Sequence, residues 1–516
     1  MQVDLSIPSQ LTLALAPDLL LLGGAMVLLL IAAWGKDSAE RQRTVGMGSL
    51  ALALVVLGTV VFVASRHPTA GGGVIAVDSF RWASDALFLL AAIIAIALSV
   101  DYNAREGILA GEAHVLTIFA TGGMMIMVAA RDLMVLFLGI ELMSIAVYVL
   151  AGLNRRSSRA AEGSLKYFLL GAFSTAFLLY GIALVYGATG STNLTDIAQR
   201  IASFGLSRSP MLLVGVAMLL IGFAFKLAAA PFHMWAPDVY EGAPTPIAAF
   251  MAAGVKAAAF AAFLRVWLEA FPGVYSEWHR ALWWLAAATM VVGNIIALQQ
   301  KNLKRMLAYS SIGHTGFLLV ALSAGTPQAA TAFLLYLFAY TLATMGAFAV
   351  IIAVGQSGGS GDRIEDFHGL WHSNPGLAVS MMVFMLALLG FPVFGGIGFF
   401  AKWYVLQAAL QVPAPQTRLA IILVVMSTVS AGYYVSVVMA MFMKPRPTDA
   451  PTIPAMPRLT KLVVVVAVAT ILFFGVYPDP LVRLAKASNS MVAPAPVGEG
   501  GAPIDLPTRT AARPGQ

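Results

Sequence analysis

Residues 219–246 read LLIGFAFKLAAAPFHMWAPDVYEGAPTP. The stretch starts as an apolar run suited to a lipid-buried helix, carries one lysine, Lys226, and meets Pro231 five positions later. Pro237, Pro244 and Pro246 follow, and because proline lacks a backbone donor and crowds the preceding turn, the helix has to break. A second stretch, LLGFPVFGGIGFFAKWY at residues 388–404, places Gly390, Pro392, Gly395, Gly396 and Gly398 ahead of Lys402. That is too many breakers for one uninterrupted helix. Two interrupted spans, each with a lysine, are the pattern of a transporter built from internal repeats, in which freed carbonyls line hydrated cavities.

The bulk composition agrees. The chain has 516 residues, 59% hydrophobic and 11% charged, with a mean hydropathy of +0.85. A soluble protein needs roughly 25% charged residues to cover its surface, so the bilayer and its lipids are the solvent here. The net charge of +7 comes without a long basic run, which argues against a nucleic-acid partner. The absence of cysteine excludes disulfides, thiolate-held iron–sulfur clusters and thiol nucleophiles from this chain. GGSG at 358–361 lies between apolar runs and lacks the strand-and-helix setting of a phosphate loop, which argues against ATP-driven transport. The 24 methionines show no clustered motif and read as adaptable core filling. His233, Asp238 and Glu241 match no zinc or calcium spacing and read as a hydrogen-bonded loop, so no metal site is expected.

A bilayer core needs roughly 20 apolar residues per helix, and about fourteen such runs occur. They lie near 11–34, 45–64, 80–100, 112–130, 133–152, 164–188, 210–231, 245–270, 281–299, 303–323, 329–354, 376–410, 418–442 and 460–479. The expected fold is therefore an all-α polytopic membrane protein, with a membrane domain at 1–484 and a Pro/Gly/Ala-rich tail at 485–516 that is poor in core-forming residues. The first run, preceded by Asp4 and Pro8 and lacking a basic region or cleavage site, reads as a retained span. With the first loop cytoplasmic, short loops on that side hold about sixteen lysines and arginines against six opposite, which predicts that both termini face outward. The two broken runs are five spans apart, and so are the run with Glu141 and the run with His314. A repeat of five spans, about 112–270 and 281–442, crosses an odd number of times, so its second copy is inverted. Leu194, Ile197, Ala198 and Ile201 recur at helical spacing and predict a short surface helix near 193–202 that packs under its neighbours.

Four ionisable residues sit deep in apolar runs: Glu141, Lys226, Lys256 and Lys402. A charge at membrane depth costs at least about 2.5 kcal/mol on insertion scales, so it faces a partner or a wet cavity. An ion pathway is the default expectation; helix-locking ion pairs and snorkelling are the competing ones. One glutamate cannot neutralise three lysines, which favours the pathway. Lysine suits the task because burial favours its neutral form while a nearby carboxylate favours the charged one, so moving that carboxylate releases a proton. Lys166, Lys304 and Arg265 lie where snorkelling serves equally well, and Arg81 with Asp85 reads as a local pair near an interface. For His314, a lone histidine among small and hydroxyl residues, core packing and proton relay are both open.

Four motifs together, FKLAAAPFHMWAPDVYEGAPTP (225–246), GIELMS (139–144), KRMLAYSSIGHTGF (304–317) and GFPVFGGIGFFAKWYV (390–405), resemble one family. It is the subunit N family of bacterial proton-translocating NADH:quinone oxidoreductase, respiratory complex I, which includes mitochondrial NADH dehydrogenase subunit 2 and belongs to the wider antiporter-like group. The resemblance spans about residues 11–480. It implies fourteen transmembrane helices, with inverted repeats in spans 4–8 and 9–13 and breaks in spans 7 and 12. It further implies Glu141 and Lys226 as a coupled pair, Lys256 as the connecting lysine, Lys402 as the releasing lysine, Lys166 as a partner of the glutamate, and His314 on the central axis. By the same resemblance NADH, FMN, iron–sulfur clusters and quinone are bound by other subunits, neighbouring antiporter-like subunits are partners, and the site is the bacterial inner membrane. A cation/proton antiporter subunit, a dehydrogenase with another donor, and a purely structural membrane subunit are the alternatives.

Overall fold

The computed structural model describes residues 6–34, 38–66, 73–326, 328–355, 361–393, 396–411, 415–447 and 453–488. The stretch 356–360, Gly395 and the tail beyond 488 lie outside the described residues. The helices are α1 (Ser6–Ala33), α2 (Ala39–Ser65), α3 (Ser79–Arg105), α4 (Glu112–Ala129), α5 (Leu133–Ala151), α6 (Ser158–Thr189), α7 (Leu194–Ser203), α8 (Pro210–Lys226), α9 (Trp235–Gly242) and α10 (Thr245–Phe250). They continue with α11 (Lys256–Ala270), α12 (Tyr275–Ala297), α13 (Leu303–Ser323), α14 (Gln328–Val354), α15 (Leu370–Ser373), α16 (Pro375–Leu389), α17 (Gly396–Leu410), α18 (Thr417–Met443), α19 (Arg458–Val476) and α20 (Asp479–Ala487).

Twelve of the apolar runs form helices long enough to cross a membrane, and α8 and α16 are the shorter apolar helices of the two interrupted spans. The seventh span stops at Lys226 rather than at Pro231: Ala228 adopts φ +54°, a region that side chains with a Cβ rarely occupy. The twelfth stops at Leu389, where Gly390 takes φ +79°, and resumes at Gly396. A third interruption, a π-helical turn at Met251–Val255, sits directly before Lys256 and had no breaker residue to announce it. Helix α7 forms where its periodicity placed it, burying Leu194, Ile197 and Ile201. Helix α20 continues through Ala487, three residues past the expected domain boundary at 484.

Side-chain caps fix where the helices begin. Asp78, Asp132, Ser157 and Asn302 each accept a hydrogen bond from a backbone N–H of the following first turn, which would otherwise lack a partner. The two inverted five-helix repeats are visible in a repeated backbone contact. Leu133 N–H donates to Thr192 O (2.9 Å) and Leu194 N–H to Arg131 O (2.9 Å), while Leu303 N–H donates to Asp362 O (2.6 Å) and Ile364 N–H to Lys301 O (2.9 Å). Each member of the second set lies 170 positions after its counterpart (303 − 133, 362 − 192, 364 − 194 and 301 − 131). The same displacement relates Gly123, packed on the backbone of Met143, to Gly293, packed on the backbone of Gly313; in both places only a hydrogen in place of a side chain permits the approach. Helices α10, α11, α13 and α14 are almost wholly covered by protein, whereas α1, α2, α6, α18 and α19 keep broad apolar faces exposed for lipid or other subunits. Of the candidate residues, Lys256 and His314 lie on these covered helices.

Candidate functional site

Glu141, Ser144 and Tyr148 recur at helical spacing on α5 and so share one face. The Glu141 carboxylate accepts a hydrogen bond from the Thr175 hydroxyl of α6 (3.0 Å). Lys226, the last residue of α8, donates to the Ser144 hydroxyl (2.8 Å) and lies 3.5 Å from that of Tyr148. Glu141 and Lys226 make no ion-pair contact with each other. Side chains take up three backbone groups around the break at Lys226. Leu227 O accepts from Thr315 (2.9 Å), Phe225 O from the Trp235 indole (3.0 Å), and Ala230 N–H donates to Thr289 (2.9 Å). Thr289 and Thr315 belong to the second repeat, so the break in the first is held by the second.

Lys256 follows the π turn and reaches α13, donating to both the carbonyl (2.9 Å) and the hydroxyl of Ser311. Lys402, in the first two turns of α17, donates to Leu389 O (2.7 Å), a carbonyl freed by the break, and to the Ser427 hydroxyl (2.7 Å); its ammonium lies 5.0 Å from the centre of the Phe317 ring. His314 is bonded on both ring nitrogens, Nδ1 to the Tyr336 hydroxyl (2.6 Å) and Nε2 to that of Tyr434 (2.9 Å), and Tyr434 also meets Ser310. A gap of about 10 Å³ separates His314, Tyr336 and Tyr340 from Lys402.

The three lysines therefore share one chemistry. Each is at least nine-tenths buried, and each donates to hydroxyl or carbonyl oxygens, with no ion pair among the described residues. A buried ammonium on neutral acceptors sits close in energy to its neutral amine, which makes proton exchange accessible. The partners Ser144, Ser311, Ser427, Tyr336 and Tyr434 escaped sequence reasoning. Their one faint signal was the helical spacing of Tyr336, Tyr340 and Thr344.

Other charges read differently from the sequence expectation. Lys166 does not pair with Glu141. It is half exposed and bridges Glu162 (2.7 Å) and Asp238 (2.9 Å). Arg305 holds Asp238 (2.7 Å) and Glu241 (2.9 Å), which ties α9 to α13. Partial burial pushes the Asp238 carboxyl up, but Lys166 and Arg305 outweigh it and hold it below its ordinary value. Lys304 does not snorkel: it is buried and donates to the carbonyls of Glu241 (2.9 Å) and Ala243 (2.8 Å). Arg265 is also fully buried, forked onto Asp78 (2.8 and 2.9 Å) and bonded to Glu269 (2.7 Å). Arg81 and Asp85 are fully buried rather than interfacial, and Arg81 holds Asp18 on α1 as well (2.5 Å). At these positions the helix-locking alternative is the one the geometry fits.

Residues 130–430 match the family model described as NADH:quinone oxidoreductase/Mrp antiporter, TM. The NADH-quinone oxidoreductase subunit N of Gemmatimonas aurantiaca is 50% identical over 501 residues, covering 94% of this chain and 96% of the relative. Among solved structures, a chain of respiratory complex I from Thermus thermophilus with bound aureothin superposes with a TM-score of 0.76 at 35% identity, covering 90% of this chain and 98% of that one. A chain of the Mrp complex from Dietzia superposes with a TM-score of 0.81 at 20% identity, covering 93% and 97%, a likeness of fold alone.

Proposed function

We propose, for a chain that belongs to the subunit N family of NADH-quinone oxidoreductase, that it carries protons across the membrane along the buried line Glu141, Lys226, Lys256, His314 and Lys402. The observation that carries this reading is the contrast in partners: all three deep lysines rest on neutral oxygens, while the buried arginines are clamped by carboxylates. Lysine can release a proton under those conditions, and arginine cannot.

In this reading the protein is a membrane-arm subunit of complex I in the bacterial inner membrane, beside other antiporter-like subunits, with both termini outside. NADH oxidation, FMN, iron–sulfur clusters and quinone reduction belong to other subunits, consistent with a chain that has no cysteine to hold a cluster. Redox chemistry elsewhere shifts the charge or position of Glu141. Lys226 then loses the field that favours its ammonium, and its proton passes inward to Lys256. The two hydroxyl-bonded nitrogens of His314 and the gap beside it link that lysine's neighbourhood to Lys402. Lys402, held on Leu389 O and Ser427 at the break before α17, delivers the proton to the outer side. Lys166 anchors α9 from the rim and stands outside the conducting line.

The test is reconstitution of the whole complex carrying Lys402→Met into proteoliposomes, following NADH oxidation and lumen acidification together. Loss of acidification with the complex still assembled supports the reading; native acidification refutes it. Replacing sodium with choline separates it from a cation/proton antiporter, whose transport would depend on sodium.

A further inference from the structure

A cavity of about 680 Å³ opens on the face rich in lysine and arginine, between the two repeats. Ser158 and Arg159 at the start of α6, Thr245 at the start of α10, Lys304 on α13 and Ile351 and Ile352 near the end of α14 are in its wall. Two of the three ammonium donors of Lys304 are taken by the carbonyls of Glu241 and Ala243, which leaves a third for water. Ser311 lies seven positions after Lys304, so two turns of α13, about 10 Å, lie between this lysine and the residue that holds Lys256.

The neighbouring helix carries buried hydroxyls beside Ser311. Tyr340, Thr341 and Thr344 of α14 are buried, and their hydroxyl oxygens meet no partner in good hydrogen-bond geometry among the described residues. Tyr340 lies close to Ser311 and to Thr344. Buried polar groups are almost always satisfied, and where protein supplies no partner, water does. A polar cavity, a buried lysine in its wall and buried hydroxyls that reach Ser311, the anchor of Lys256, are thus present together.

We propose that this cavity is a second entrance for protons, feeding Lys256 through Lys304 and the Tyr340–Thr341–Thr344 hydroxyls without passage through Glu141 and Lys226. A proton from water in the vestibule binds the Lys304 amine, the ammonium gives it to water along the hydroxyl run, and the Lys256 amine takes it up. The inference rests on the proton-carrying function assigned above and adds to it a second way in; uptake there still needs the charge change at Lys226, so replacing Glu141 or Lys226 stops both routes.

The absence of cysteine in the chain makes a direct test accessible. Ser158→Cys in the intact complex, in inside-out membrane vesicles, is treated with a cationic thiosulfonate reagent, and protons moved per NADH oxidised are compared before and after labelling. The same treatment of the native complex corrects for thiols in other subunits. The expected result is at least a threefold fall on labelling, and an unchanged ratio overturns the proposal. Thr344→Val, which removes one hydroxyl at nearly constant volume, is the second arm: at least a twofold fall supports the route, and a native ratio argues against it. Glu141→Gln and Lys402→Met run in parallel. If those two lose pumping while labelled Ser158→Cys keeps it, the vestibule alone fails; if those two keep native pumping, the underlying reading fails.

Discussion

Two regions of this molecule bury charge under similar cover and treat it in opposite ways. At one end of the membrane domain, Arg81 and Arg265 are fully enclosed and held by Asp18, Asp78, Asp85 and Glu269, with Arg131 against Glu269 at 3.4 Å. Along the middle, Lys226, Lys256 and Lys402 are as deeply placed, yet their ammonium groups bond only to the hydroxyls of Ser144, Tyr148, Ser311 and Ser427 and to main-chain carbonyls. A guanidinium forked between carboxylates is a fixed charge that joins α1, α3 and α11. An ammonium on neutral oxygens is one whose charge can come and go. Burial alone therefore says little about function in a membrane; the type of partner does.

The largest effects expected from breaking this contrast are in the lysine line. Lys226→Met removes the exchangeable proton and should lower protons moved per NADH oxidised by more than tenfold in proteoliposomes, with the complex still assembled by native gel. In the arginine region the loss should fall on stability. Asp78→Asn takes from Arg265 its bidentate partner, and breaking a buried pair on one side costs roughly 3–5 kcal/mol, measurable as a lower denaturation midpoint of the purified complex. Pumping per NADH in the surviving fraction should stay near native.

Glu141→Gln sharpens the comparison from the acid side. It keeps an acceptor for Thr175 but removes the field on Lys226, so pumping should fall severalfold with no change in the denaturation midpoint. The smallest effect belongs to the partly exposed clamp at Asp238. Its carboxyl is held below the ordinary value of 3.8, so its stabilising contribution is complete above that value and is lost only as pH falls through the lower folded one. Asp238→Asn should then cost about 0.2–1 kcal/mol, and the cost should be the same at pH 8 and pH 5.

Much of this was legible in the sequence, for physical reasons that can be named. A span needs a long apolar run whatever it packs against, so fourteen runs were readable from composition, and prolines and glycines announced the interruptions at the seventh and twelfth. The deep lysines stood out because lipid makes them costly. Partners were not legible, since which hydroxyl faces Lys256 depends on how α11 and α13 cross. Arg81 and Asp85 looked like a local pair because their spacing is local; Asp18, which completes the lock, is on another helix. The π turn before Lys256 has no sequence mark, because its residues, Met251 to Val255, are ordinary helix-compatible ones apart from Gly254.

The 170-residue correspondence adds a last point. It sets Glu141 against Ser311 and Ser144 against His314, so the carboxylate of the first repeat is matched by a hydroxyl in the second, and the lysine's hydroxyl anchor by a histidine. The most direct measurement is NADH-driven proton translocation by the intact complex carrying Lys226→Arg, a change that keeps positive charge and length but withholds the proton. Assembly with translocation cut by at least tenfold is the result predicted; native translocation by the arginine variant would contradict the claim that these buried amines work by giving up their protons.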